Sequence, residues 1–319
     1  MREVFAIAAA WLDEGRPFAL ATLVALREAA PAPVGTTIAV DTQGHIVGNI
    51  GAGCYESEIV EACVVAAEDG RTRTLAVNLT SDDEVMGTTA CGAVMEVIVW
   101  RPGAPFAAPA RDIAAGDREV LLEIEYARND GEPATFSHAI SERESLLLVG
   151  ATALAAEIAA IARRLDFRVI VVDPRPAFAT RERVPDADEI ARKWPDEFLP
   201  RVLSERTSIV MLSHDPKLDL PGLRCALGSS APFIGLLGSR KGQAARRASL
   251  RAEGFSEGAL ARIHGPVGLD IGGVTAAETA LSILAEVVAA RHQREGTPLR
   301  SRDGAIHPAI ARTTQPRPS

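Results

Sequence analysis

Cys54 sits in the run GNIGAGCYE, Gly48 to Glu56, where three glycines fall within six residues. Side chains would block so tight a turn, and their absence lets a ligand meet the backbone. Downstream, Ile59, Val60, Cys63 and Val64 recur at helical spacing, which puts Cys54 at or just before a helix N-terminus. Unpaired N–H groups and the helix dipole at such a position favour anions and depress a thiol's pKa. The chemistry open to this run is that of a reactive thiolate, or of an anion cradle with a sulfur in it. The plain alternative is a small residue buried in a turn, the usual fate of a free cysteine. Cys91 is followed by Gly92 in TACGAVMEVIVW, where the pair opens a strand running to Trp100. Gly51, Gly53, Cys54, Cys91 and Gly92 are the candidate ligand-binding residues of the first half. Glu56 reads as a first-turn carboxylate favourable to the dipole rather than as a general base.

A second group of candidates lies further along. SLLLVG is a strand ending at Gly150, ALAAEIAAIARRL (153–165) a helix, and RVIVVD a strand ending at Asp173. Together they form the first unit of a dinucleotide-binding fold, and Asp173 falls about 20 residues on, where a carboxylate takes a ribose hydroxyl. The glycine fingerprint is incomplete, with Thr152 and Ala155 where GxGxxG has its second and third glycines. Alanine is tolerated at the third place. Thr152 sets a branched side chain where the backbone would approach a pyrophosphate.

Three later segments add chemistry. In SHDPKLD (213–219), His214 and Asp215 directly follow a strand and so sit at a carboxyl edge, where open α/β sheets bind ligands. GSRKGQ (238–243) brings Ser239, Arg240 and Lys241 to a helix start. Backbone donors, a hydroxyl and fixed positive charge suit a phosphate. IHGPVGLDIGG (263–273) surrounds Asp270 with four glycines and a proline. Singly, His214 and His264 read as hydrogen-bonded loop histidines, and Arg240 and Lys241 as a solvated helix start. That all three segments end strands or begin helices points to a shared anion-binding cleft.

Such residues need scaffolds. MREVFAIAAAWLDEG reads as an amphipathic helix through Val4, Ile7, Ala8, Trp11 and Leu12, with Asp13 and Glu14 where a signal peptide would need its cleavage site. Residues 19–26, 36–41 and 45–50 read as strands, the last two joined by a Thr42-Gln43-Gly44 turn; 72–79 and 91–100 add two more. Residues 102–110, rich in proline and alanine, read as a boundary, and 118–140 as a hairpin turning at Asn129-Asp130-Gly131. From Glu144 strands alternate with helices up to a long closing helix at 275–291, the pattern of a parallel sheet with crossover helices. The expected fold class is α/β, an N-terminal mixed α/β domain followed by a Rossmann-like doubly wound parallel sheet. The expected division is a cysteine-bearing domain over 1–103, a linker with a hairpin over 104–142, the Rossmann-like domain over 143–292 and a flexible tail over 293–319.

Charge and composition narrow the function classes. With 34 Lys+Arg against 42 Asp+Glu the net charge is −8, so a general nucleic-acid binder, which needs a basic face, is excluded. No apolar run reaches membrane-spanning length, and no membrane partner is expected. Cysteines at 54, 63, 91 and 225 show neither CxxC nor clustering with histidine. Neither a metal site nor a disulfide framework is expected, and the reading is a soluble cytoplasmic protein with reduced thiols.

With these motifs in view, the chain resembles the XdhC/CoxI family, maturation factors for molybdenum hydroxylases such as xanthine dehydrogenase. The resemblance covers nearly the whole chain and rests, in order, on GNIGAGCYE, TACGAVMEV, SHDPKLD with IGLLGSRKG, and IHGPVGLDIGGVTAAETALSILAE. It implies a protein that binds the molybdenum cofactor (molybdopterin) transiently. Such a protein protects the cofactor while a cysteine desulfurase installs the terminal sulfur, then delivers it to the apo-enzyme. By the same resemblance, Cys54 and Cys91 handle the cofactor. Two departures stand out: Gly150-Ala151-Thr152-Ala153 where members often read Gly-Ala-Gly-His, and Ala52 where a further glycine is common.

On this reading the binding residues are Gly51, Gly53, Cys54, Cys91, Gly92, Gly150, Asp173, His214, Ser239, Arg240 and Asp270. Two other readings compete. One is an NAD(P)-dependent oxidoreductase with His214 or His264 as proton donor and Asp173 on the ribose; it leaves Cys54 and Cys91 without a task. The other is a sulfurtransferase-like protein with a persulfide on Cys54. A homodimer is the assembly expected by default.

Overall fold

The computed structural model describes residues 1–27, 32–51, 56–78, 94–128 and 131–301. They fall into two compact units that divide between Glu142 and Arg143.

The first unit opens with α1 (Arg2–Asp13); of the residues its spacing puts on the apolar face, Val4, Ala8 and Trp11 are buried and Ile7 and Leu12 partly buried, and Phe5 and Ala9 are buried beside them. There follow β1 (Phe18–Arg27), β2 (Thr37–Asp41), β3 (Ile46–Val47), α2 (Glu56–Asp69), β4 (Arg73–Asn78) and β5 (Val94–Trp100). Among the described residues these strands form a five-stranded antiparallel sheet in the order β3-β2-β1-β5-β4. Alternation along β1 feeds two cores. Phe18, Leu20 and Val24 pack with α1, while Ala19, Ala21 and Leu23 pack with Ile59 and Cys63 of α2.

The stretch read as boundary and linker is ordered differently from that expectation. Residues Ala104–Phe106 make one 3-10 turn, α3 (Ala107–Ala115) follows, and Phe106, Ala110 and Ile113 join the α1 core. Pro105 and Pro109 mislead the sequence reading, because each stands in a first turn where no intrahelical N–H is required. The hairpin forms from β6 (Val120–Ala127) and β7 (Pro133–Ile140), with Val120 opposite Ile140. Asn129 and Asp130 of its turn lie outside the described residues.

The second unit runs β8 (Ser145–Val149), α4 (Ala153–Arg164), β9 (Arg168–Val172), β10 (Glu189–Ala191), α5 (Pro195–Phe198), β11 (Thr207–Met211), α6 (Pro216–Leu227), β12 (Ile234–Leu236), α7 (Arg240–Ala252), α8 (Glu257–Ala261), β13 (Ile263–His264) and α9 (Ala276–Arg291). Among the described residues its six strands are parallel, in the order β10-β9-β8-β11-β12-β13. This is the doubly wound dinucleotide-fold order, and the reversal between β8 and β11 opens a crevice beyond the strands' carboxyl ends. Leu146, Leu148, Val169 and Val171 are covered by α4 and α9, and Leu147, Val149, Ile209 and Met211 by α6, α7 and α8. Burial on both faces is why these strands read as unbroken apolar runs. At about 1.5–3 kcal/mol for each large aliphatic side chain fully buried, that packing fixes the strand ends from which the candidate loops depart. β10 and β13 are too short to show in the sequence pattern. Of the expected tail, Leu299–Ser301 form a helical turn and 302–319 lie outside the described residues.

Candidate functional site at the carboxyl edge of the second unit

Gly150 directly follows β8 with φ +106, and a Cβ there would lie 3.2 Å from the Ser213 backbone. Only glycine lets the loops after β8 and β11 close to this distance. Thr152, which stands where the fingerprint has a glycine, is the N-cap of α4: its Oγ1 accepts from Ala155 N–H at 3.2 Å. The sequence reading set Thr152 against a pyrophosphate. The side chain instead serves the helix's own unpaired N–H groups.

Asp173 is fully buried just after β9. Its Oδ1 accepts from Arg175 N–H at 3.0 Å and Arg175 Nε at 2.9 Å, and its Oδ2 from Ala151 N–H at 2.9 Å and Arg175 Nη2 at 2.7 Å. Burial alone would raise its pKa, but these hydrogen bonds outweigh that and hold the carboxyl below its ordinary range. Four donors fill the four acceptor positions of a carboxylate. Asp173 therefore occupies the place of a ribose-binding acid with its oxygens already engaged.

His214 follows β11 at φ +58, in the left-handed region that a residue with a Cβ rarely adopts. Its carbonyl accepts from Arg246 Nη2 at 3.0 Å. Arg246 also donates to Asp219 Oδ2 through Nε at 2.9 Å and Nη2 at 2.6 Å, and Ser213 Oγ donates to Asp219 Oδ1 at 2.6 Å. Both partners are buried, so this ion pair braces the His214 loop from beneath. Asp215 is spent on capping α6, accepting from Lys217 N–H at 2.9 Å.

The next loop completes the edge. A Cβ at Gly238 would lie 3.6 Å from His214 Nδ1, and Ser239 caps α7 by accepting from Gly242 N–H at 3.2 Å. Arg240 and Lys241 begin α7 in the open. Gln243, buried one turn on, donates to Leu236 O at 2.7 Å, while its Oε1 has no hydrogen-bond partner among the described residues.

Gly150, Asp173, His214, Ser239 and Arg240 thus share one edge. Asp270 lies in the loop between β13 and α9, where it lines a surface pocket with Gly272, Gly273, Thr279 and Ser282. His264 is tied to Glu286 (Nδ1 to Oε1, 2.8 Å), whose Oε2 accepts from Gly268 N–H at 2.6 Å. Burial would raise the Glu286 pKa, and these partners pull it below the usual value instead.

Gly51 in the first unit has φ +79. Gly53, Cys54, Cys91 and Gly92 lie outside the described residues, and so does any common cleft for the two thiols. The remaining cysteines are poor nucleophiles. Burial pushes the Cys63 thiol up to about 12, and burial with Asp196 nearby raises Cys225. Among the described residues no group of three His, Cys, Asp or Glu could hold a metal, and no helix is long and apolar enough to cross a membrane.

Sequence reasoning alone misses Asp219, Arg246 and Arg175 as contributors. Asp219 closes the SHDPKLD motif, which is a usable signal. Arg246 hides among the arginines of a basic helix.

What this edge can do chemically follows from its donors. The α7 N-terminus, Arg240, Lys241 and the His214 imidazole together favour an anion. Two family models account for the same architecture. The XdhC Rossmann domain matches residues 146–287, and the XdhC and CoxI family matches residues 11–78. The chain belongs to the XdhC/CoxI family. Individual relatives of this XdhC/CoxI chain are distant. The uncharacterized protein YqeB of Escherichia coli is 24% identical over 293 residues, 92% of this chain and 47% of that one. A protein of Bacillus subtilis described as a probable xanthine dehydrogenase subunit is 28% identical over 58% of this chain and 53% of its own. The chain thus spans about half the length of these two relatives. The molybdenum cofactor insertion chaperone PaoD of E. coli is 23% identical, over 92% of this chain and 90% of its own. A crystal structure described as a xanthine dehydrogenase from Bacillus halodurans has the same fold, with TM-score 0.75 and 20% identity, over 93% of this chain and 98% of that one.

Proposed function

We propose that this XdhC/CoxI chain carries the molybdenum cofactor and hands it to a molybdenum hydroxylase of the xanthine dehydrogenase type. The observation that carries the reading is the second unit's crevice, where an anion-favouring helix start and a strained histidine adjoin an acid whose oxygens are already engaged. That combination suits a phosphorylated cargo better than the plain ribose of NAD. The likeness to PaoD over most of both chains, and to a probable xanthine dehydrogenase component, supports the same client class.

In the second unit, Ser239, Arg240 and the first N–H groups of α7 would hold the pterin's phosphate, with Gly150 allowing close approach and His214 beside it. In the first unit, Cys54 and Cys91 are assigned to the cofactor's molybdenum and soft sulfurs, for which thiolates are suited ligands; Gly51, Gly53 and Gly92 would leave the backbone open to it. The finer reading includes transient binding, sulfuration with a cysteine desulfurase as partner, a cytoplasmic setting and a homodimer.

Pterin content tests the proposal. After co-expression with a complete cofactor pathway, the purified protein is oxidised and released pterin is read by fluorescence. Stoichiometric pterin, lost in Cys54→Ala and reduced in Arg240→Ala, is the expected result. No pterin together with measurable NAD binding would overturn the carrier and favour the oxidoreductase.

A further inference from the structure

The carboxyl ends of β9 and β10 carry a group of residues that the carrier reading leaves unused. Arg175 lies over the Phe178 ring with its guanidinium carbon 4.1 Å from the centroid, and Arg183 lies 5.0 Å from the centroid of the same ring. Phe178 is itself 37% exposed, and the two cations over its ring also meet solvent. Arg192 Nε donates to Ala179 O at 2.9 Å and thereby fastens the end of β10 to the Phe178 loop; Trp194, two residues on, is 44% exposed.

Donor bookkeeping within the group is uneven. Arg181 is turned to its own loop, donating to the carbonyls of Pro185 and Ala187. Arg175 gives Nε and Nη2 to Asp173, and its Nη1 has no hydrogen-bond partner among the described residues. Arg183 makes no ion pair among the described residues. Two guanidiniums held on one ring repel each other, and the planar donor forks that remain match a phosphate. In this fold the end of the second strand is where the ribose hydroxyls of a bound nucleotide arrive. A bare ribose diol would have to displace Arg175 from Asp173, whereas a phosphate on that ribose would meet Arg175 and Arg183 with the Asp173 pair intact.

The geometry points to a nucleotide subsite at Arg175, Phe178 and Arg183 that takes a nucleoside phosphorylated on its 2′ or 3′ hydroxyl and discriminates against the unphosphorylated ribose. Arg175 is the specificity-determining residue, because it closes Asp173 to hydroxyls and presents a cation in their place. The exposed Trp194 offers a ring face for the base. This subsite does not depend on the identity of the cargo.

Calorimetric titration of the full-length protein with 2′-AMP, 3′-AMP, 5′-AMP and adenosine tests it. Either 2′-AMP or 3′-AMP should bind at least ten-fold tighter than adenosine and 5′-AMP; which of the two wins separates a 2′-phosphate ligand from a 3′-phosphate one. Arg183→Ala, a surface change, should erase that preference without moving the melting temperature. Arg175→Ala should invert it, weakening the phosphorylated nucleosides and strengthening adenosine as Asp173 is released. Equal binding of 2′-AMP, 3′-AMP, 5′-AMP and adenosine would overturn the inference. So would no binding of any at millimolar concentration, or a preference that survives Arg183→Ala.

Discussion

Asp41 in the first unit and Asp173 in the second are nearly the same object electrostatically. Each is buried at the end of a strand, and each takes four donors. For Asp41 these are Arg16 Nη2, His45 Nδ1, and the Gln43 and His45 N–H groups. In both, burial pushes the pKa up and the hydrogen bonds push it further down, leaving it below the ordinary carboxylate value. Their places differ. Asp41 closes a turn between two strands that already pair with each other. Asp173 joins the loops after β8 and β9, at a crevice where ligands bind in such sheets. A buried, paired carboxylate is therefore a tie in either place, and its position in the fold decides whether the tie shapes a site.

The strongest test of that distinction lies beneath the crevice. Asp219→Ala strands the buried Arg246 guanidinium and should cost about 3–5 kcal/mol in urea unfolding of the second unit. A loss below about 1 kcal/mol would mean that the pair does not brace the His214 loop. Asp41→Asn and Asp173→Asn should each cost less, about 1–3 kcal/mol, because Arg16 and Arg175 are 36% and 39% exposed and remain solvated. Only Asp173→Asn should also alter pterin retention; an equal change in Asp41→Asn would erase the contrast.

Acid titration sharpens it further. Both native carboxylates have lowered pKa values, so their stabilisation is complete above the unfolded value of about 4 and is lost as pH falls through the native ones. Each Asn variant should flatten stability against pH below about 4.

A smaller effect belongs to the first unit alone. Burial lowers the pKa of His138, so the unfolded chain takes up the proton first. Stability should therefore decline as pH drops below about 6.5, with the slope removed in His138→Gln. Least affected of all should be Cys63, which ought to resist alkylation in the native protein at neutral pH while Cys225 reacts slowly. Rapid labelling of Cys63, read by mass spectrometry, would contradict its burial.

The scaffold was legible wherever pattern alone decides it. Unbroken apolar strands alternating with helices from Ser145 onward imply a covered parallel sheet, and α2 begins at Glu56, where the spacing of Ile59 and Cys63 puts it. The crevice was partly legible, because Gly150, His214 and Ser239 stand at strand and helix ends that the pattern locates. Its bracing was not. Arg246 is one of several arginines in α7, and nothing linear separates the one that turns inward to Asp219 from those facing water. Arg175 was invisible for a similar reason: a carboxylate at the ribose position gives no sign in sequence that a neighbour two residues away has already filled it. α3 was masked by Pro109 in its first turn and Pro105 in the turn before it, since prolines mark boundaries as readily as first turns.

The left-handed backbone at His214 carries an evolutionary consequence. Glycine or asparagine would rest there with less strain, so a population selected for heat resistance alone should drift toward one of them at this position. The imidazole beside Gly238 would vanish in the same step. If His214 handles the ligand as proposed, thermal robustness and function pull in opposite directions at this position, and engineering for durability should leave it untouched.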